Sequence, residues 1–232
     1  MKLSVCAGAF LLLALPVLAQ QQKPAMVAED GAFQERGSTR VLYWDTKANA
    51  AFGQFAIDYG RPVWKKEYDD PVNFDKLTKG KTYRLGSNFW TVLDTHLPLK
   101  VSGKDVAPGN YYLGLARSAD GDKWSLVFID SAKARSMCLD AYQIERAPVL
   151  FQAPMAVEPA TEMSQRLTIT LSYTREKPKD VKLRISWGKL QLSAPVEVTL
   201  GPQSRLRIAD FGLRIERRSD PQSAIRNPLF LS

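Results

Sequence analysis

Residues 164–200 read SQRLTITLSYTREKPKDVKLRISWGKLQLSAPVEVTL, and their alternation decides the fold. Leu167, Ile169, Leu171 and Tyr173 stand at every second position against Arg166, Thr168, Thr170 and Ser172. Val181, Leu183, Ile185 and Trp187 do the same against Lys182, Arg184 and Ser186, and Val196, Val198 and Leu200 against Glu197 and Thr199. Successive side chains of a strand point to opposite faces, so each run sets an apolar face on a core and a polar face in water. Upstream, Phe55, Ile57 and Tyr59 repeat the pattern, as do Leu97, Leu99 and Val101. Half-buried runs of this kind predict an antiparallel sheet packed on a second layer. The expected fold is therefore all-β, an antiparallel β-sandwich of jelly-roll type with at most one short helix.

The punctuation between runs fits that expectation. Ser102-Gly103-Lys104-Asp105, Pro108-Gly109-Asn110 and Asp120-Gly121-Asp122 are turn chemistries. Gly188, set between two apolar runs, predicts a bend or bulge over Trp187–Leu192. Asp130 can cap one or two helical turns over Ser131–Tyr142. Pro148, Pro154 and Pro159 make residues 146–163 an irregular crossover between two β blocks.

The chain has 232 residues, 45% of them hydrophobic and 24% charged, which excludes a disordered, collagen-like or polytopic membrane class. Its first residues are MKLSVCAGAFLLLALPVLAQ. Lys2 is a positive n-region, Leu3–Leu15 an apolar run short of a membrane span, Pro16 a helix breaker and Val17-Leu18-Ala19 a cleavage site. Residues 1–19 are therefore expected to be a signal peptide, cleaved after Ala19, with export to the periplasm or beyond; an uncleaved anchor is the alternative. Cleavage removes one lysine and takes the net charge from +8 to +7. The basic residues are scattered, which fits a solvated surface rather than a nucleic-acid partner. Cys6 goes with the leader, so Cys138 is left without an intrachain partner, and the fold must rest on its core. Cys138 lies between Met137 and Leu139 and reads as a small buried apolar residue. Residues 20–38 read as a flexible lead-in and 39–200 as the β-domain. Residues 201–232 read as an extension with one or two short strands, at Leu206–Ile208 and Gly212–Glu216, and a loose tail.

Three blocks carry a family resemblance: Ile57-Asp58-Tyr59-Gly60-Arg61-Pro62 with Lys65; Tyr83-Arg84-Leu85-Gly86-Ser87-Asn88 with Thr91; and Val101 through Tyr111 with Trp124-Ser125-Leu126. In that order and spacing the chain resembles domain-of-unknown-function family 2911 from about Gln54 to Leu200. The resemblance implies a compact exported bacterial β-domain with no established activity. Lys66-Glu67 stand where the family pattern usually has Gly-Arg, and Phe89 where it usually has Glu. If those family residues serve a shared ligand, this chain lacks part of that site.

Two readings stay open for the polar motif residues Asp58, Arg61, Arg84 and Asn88. They form either an internal clasp, with Arg61 or Arg84 paired to Asp58 and Asn88 fixing its loop, or an anion or sugar pocket at one end of the sandwich. Trp64 and Trp90 lie beside these motifs, and either stack a sugar ring or peptide or cover the end of the core. Trp124 and Trp187 fall on buried phases. His96 is the single histidine, no G-x-S-x-G is present, and Asp69-Asp70 are loop neighbours rather than opposed carboxylates. No metal and no cofactor are expected. The function that follows is a non-catalytic binding or scaffolding domain of the cell envelope, its partner an envelope polymer, a peptide or a small anionic ligand. The alternatives are a hydrolase-like enzyme using the Asp/Arg/Asn pocket, and a structural subunit that lends its C-terminal strands to a partner.

Overall fold

In the computed structural model, which describes residues 35–201, the alternating runs become strands of one antiparallel sheet. In chain order they are β1 (Arg36–Asp45), β2 (Ala50–Gly60), β3 (Thr82–Arg84), β4 (Thr91–Thr95), β5 (Leu99–Val101), β6 (Lys104–Val106), β7 (Gly109–Arg117), β8 (Trp124–Asp130), β9 (Val149–Val157), β10 (Ser164–Thr174), β11 (Lys177–Gly188) and β12 (Leu190–Val198). Hydrogen-bonded neighbours run β1-β2-β4-β7-β8-β9-β12-β11-β10, with β3 on β7 and the β5–β6 hairpin on β12. The proposed leader, most of the lead-in and the C-terminal extension lie outside the described residues. β1 takes in Arg36–Ser38, assigned above to the lead-in.

The period of two does what it should. Phe55, Ile57 and Tyr59 of β2 are buried, and so are Leu167 and Ile169 of β10 and Val181, Leu183 and Ile185 of β11. They share one core with Leu93, Leu113, Leu126 and Phe128, so strands from both ends of the sheet contribute to it. Leu171, Trp187 and Leu200 are only half-buried, and Tyr173 is exposed near the tip of the β10–β11 hairpin. A second, smaller cluster lies on the opposite side of β4, β7 and β8. There Trp90, Tyr112, Val127 and Ile129 pack under Ala134, Leu139, Ala141 and Ile144.

Two turns follow from backbone chemistry. Ser102 (φ 46°) and Gly103 (φ 80°) link β5 to β6 in two residues with Val101 opposite Lys104, the positive-φ geometry that matches strand twist. Gly188 (φ 59°) and Lys189 link β11 to β12, with Trp187 opposite Leu190. The bend or bulge expected over Trp187–Leu192 is thus a tight hairpin.

Three expectations are corrected. The first is the limit of one short helix. Helix α1 (Pro71–Thr78) begins at Asp70, whose side chain accepts from the Val72 N–H at 2.9 Å, with Pro71 in its first turn. Helix α2 (Ser131–Ser136) begins at Asp130, which accepts from the Lys133 N–H at 2.9 Å, and 3₁₀ segments form at Lys66–Asp69 and Ala141–Arg146. Elements this short lack room for an apolar stripe and announce themselves only through their caps. The second is the irregular crossover, half of which is strand β9. Over Val149–Met155 it pairs with β8 alone, and β12 meets it only at Ala156 and Val157. A strand paired along one side tolerates a proline whose missing N–H faces the open side, as Pro154 requires. The third is Cys138, which is exposed: it takes φ 51° just past α2, which turns the thiol outward.

The two ends of the strand order are joined by side-chain and backbone hydrogen bonds. The Tyr59 hydroxyl accepts from the Ile169 N–H at 2.9 Å and donates to the Ile169 carbonyl at 3.3 Å. Beside it the Leu167 N–H donates to Pro62 O at 3.0 Å and the Trp64 N–H to Gln165 O at 2.8 Å. Further along, the Tyr43 hydroxyl donates to Pro178 O at 2.6 Å, and burial pushes that phenol up to about 12.

Candidate functional site

The first two motif blocks meet backbone to backbone. A Cβ on Gly60 would stand 2.1 Å from the Ser87 carbonyl oxygen, and one on Gly86 (φ 96°) would stand 2.8 Å from the Gly60 carbonyl oxygen. Only glycine allows that approach. The loop Leu85–Trp90 that follows is pinned at both ends. The Thr91 hydroxyl donates to Leu85 O. Trp90 stacks on Tyr112 with centroids 4.8 Å apart, and its indole N–H donates to Leu139 O at 3.1 Å. Asn88 sits in the loop at φ 63°, a conformation asparagine tolerates. Phe89, which follows it, is 61% exposed.

Two arginines bracket this loop. Arg36 of β1 donates from Nε to Asp58 Oδ1 at 2.7 Å, and its Nη2 binds both that oxygen and Trp90 O, the latter at 3.2 Å. Its guanidinium stands 5.8 Å from the Phe89 ring centroid. Arg84, at the end of β3, lies 3.7 Å from the centroid of Tyr142, a residue 74% exposed. The Nη1 of each arginine is buried and has no partner. Arg84 differs from Arg36 in that its side chain has, among the described residues, no hydrogen bond and no ion pair.

The six residues singled out from sequence separate into two places. Asp58, Arg84, Asn88 and Trp90 gather about the Leu85–Trp90 loop. Arg61 and Trp64 belong to the seam with β10. Arg61 donates from Nε to Leu167 O at 3.3 Å and from Nη1 to Glu35 Oε1 at 3.3 Å, and Arg166 joins the same Glu35 at 2.8 Å. Trp64 is buried, its indole N–H donates to Asp69 Oδ1 at 2.9 Å, and its ring meets Trp187 edge-on at 5.0 Å above Gly188. The partner of Asp58 is Arg36, not Arg61 or Arg84. Arg36 lies outside the alternating runs legible in the sequence, which begin at Thr39; it stands opposite Gly60, two residues from Asp58 along β2.

A second polar constellation went unread. Glu158 accepts from Lys182 and from the Ser193 hydroxyl at 2.6 Å, from Gln191 Nε2 at 3.2 Å, and pairs with Arg184 at 3.3 Å. These donors, Lys182 first, hold its carboxyl near 2, at about 2 against an ordinary 4.5. A shallow groove of about 460 Å³ runs beside it, lined by Asp180, Lys182, Ser193, Pro195 and Glu197. The sequence shows Lys182 and Arg184 on the polar phase of β11, but Glu158 stands among prolines in residues 146–163, where no alternation marks its partner. Hydrogen bonds from Lys79 and Arg117 lower Asp75, and one from Ser118 lowers Asp120. His96 is exposed, 3.9 Å from Asp94. Among the described residues no cluster of three or more His, Cys, Asp or Glu could hold a metal ion, and no helix is long and apolar enough to cross a membrane.

These features define an antiparallel β-sheet protein whose glycine-locked motif loop is flanked by arginine–aromatic pairs. The chain belongs to the family of proteins of unknown function DUF2911, whose model matches residues 44–196 and so takes in the whole loop. No curated protein and no solved structure matches the chain.

Proposed function

We propose that this chain is an exported, non-catalytic binding domain of the cell envelope, released from its leader after Ala19 and folded as a two-layer, jelly-roll-like β-sandwich. One observation carries the reading. The Leu85–Trp90 loop is fixed by backbone contact at Gly60 and Gly86 and leaves Phe89 exposed, and each flanking guanidinium lies against an aromatic ring that is itself exposed. A rigid loop with arginines on open aromatic rings suits recognition of a ligand that is both anionic and partly apolar.

The hydrolase alternative draws less from the same geometry. Asp58 is neutralised by Arg36, and the shifted carboxyls Asp75, Asp120 and Glu158 are all held as anions. A general acid needs the opposite shift. Screening the chain from Gln20 to Ser232 against envelope glycans, peptides and small anions tests the reading, with calorimetry on the hits. Saturable binding of one class without turnover is the expected result. Binding to nothing, or consumption of a hit, overturns it. Mass spectrometry of the exported protein tests the leader: the expected first residue is Gln20, and an intact Met1 on exported protein removes that part of the proposal.

A further inference from the structure

We infer that Arg84 is held in reserve for a ligand carboxylate, and that the ligand is an acidic sugar chain whose ring packs on Tyr142. This deepens the binding reading above and rests on it.

Charged side chains that are partly withdrawn from water are normally paired within the protein. Arg36, Arg61, Arg117, Arg166 and Arg184 all follow that rule, with Asp58, Glu35, Asp75, Glu35 and Glu158 as partners. Arg84 does not. It is half-buried, its Nη1 is sealed from solvent without an acceptor, Nε and Nη2 remain as the edge a ligand can reach, and among the described residues the Tyr142 ring is the contact its guanidinium makes. Two features keep it there at a fixed angle. The β3–β7 pairing sets Arg84 opposite Gly114, and Ile144, two residues past Tyr142, packs its side chain over that glycine. Tyr142 lies in the 3₁₀ segment that Asp140 and Gln143 cap reciprocally. A guanidinium stacked on a ring keeps its in-plane N–H fork for a planar acceptor, and a carboxylate matches that fork. Tyr142 is 74% exposed, so most of its surface is open to the C–H face of a sugar. Phe89, at the far end of the same loop, offers a second exposed ring beside Arg36. An oligosaccharide bearing carboxylates supplies both chemistries along one chain; a free anion supplies one.

Isothermal titration of the mature protein with an oligogalacturonate, its methyl ester and inorganic phosphate tests this. The wild type should bind the oligogalacturonate, and esterification should weaken binding about tenfold or more, since it removes a charge-assisted hydrogen-bond acceptor. Arg84→Met should weaken it as much. Arg84→Lys, which keeps the charge and loses the fork, should weaken it to a similar degree, while Lys104→Ala, an equal change of net charge elsewhere, should leave it unchanged. Because Arg84 has no hydrogen bond or ion pair to lose and its stack on Tyr142 lies at an exposed ring, Arg84→Met without ligand should melt within about 2 °C of the wild type. A fall of more than about 5 °C would mark Arg84 as structural and overturn the inference. Phosphate competing as well as the oligogalacturonate would overturn the carboxylate. A wild type that ignores oligogalacturonate, or binds it equally well as the Arg84 variants do, overturns the inference too. Binding of a neutral ligand in the broader screen would leave the binding domain standing while removing this site.

Discussion

Tyr59 carries more than its ring. Its hydroxyl occupies both backbone groups of Ile169, which is 2% exposed, so the oxygen stands where a neighbouring strand would donate and accept. Tyr59→Phe leaves a buried N–H and carbonyl without a partner, and should cost about 1–3 kcal/mol in urea unfolding at an unchanged slope. Glu158 makes a pH-dependent contribution of definite sign. Its carboxyl is held at about 2 in the folded chain, below its ordinary 4.5. The stabilisation is complete above the ordinary value and is lost as pH falls from there toward about 2. Melting curves of wild type and Glu158→Gln should therefore differ most near neutral pH and converge near pH 2. Equal spacing at all pH values would remove the assignment. Neither residue's partner was legible in the sequence. Tyr59 reads correctly as the third apolar position of β2, but an alternation says nothing about where a hydroxyl lands 110 residues away. Arg84 and Asn88 stand out in the sequence as motif residues, yet their spacing is silent on which carboxylate pairs with which arginine.

Among the elements, the strands were the readable part. Their apolar positions recur at a period the chain states directly; β2 and β12 bury the residues that period marks in them, and β10 and β11 bury theirs except Leu171, Tyr173 and Trp187. Helix α1 and strand β9 were not readable in the same way. In α1 a cap and a proline replace periodicity, and in β9 three nearby prolines mask a strand that is paired on one side for most of its length. Asp70→Ala should cost about 1 kcal/mol, the loss of the α1 cap, seen as a small drop in the urea midpoint. The Leu85–Trp90 loop owes its place to a contact between glycines from two blocks that are far apart in sequence. Gly60→Ala drives a methyl into the Ser87 carbonyl, so the loop must move. It should cost about 3 kcal/mol and abolish ligand binding in whatever fraction still folds. Retained affinity would separate the loop from the site.

For the molecule as a whole, the decisive fact is the shared core. Leu183 of β11 and Phe55 of β2 come from far ends of the strand order and belong to one buried cluster. Leu183→Ala should cost about 2–5 kcal/mol and lower one common transition, seen alike by far-ultraviolet circular dichroism and tryptophan emission. Two separated transitions would show that the ends of the sheet melt independently. Sequence periodicity could state that each strand has an apolar side; the strand order and the seam depend on contacts across the fold and could not be read from it. That seam has a practical outcome. Along Leu167–Ile169 the main-chain groups of β10 are already occupied by a phenol oxygen and by Pro62, so this border offers no template to a foreign chain. Concentrated solutions should stay free of fibrils seeded there, and Tyr59→Phe should be the change that lets thioflavin-positive material grow.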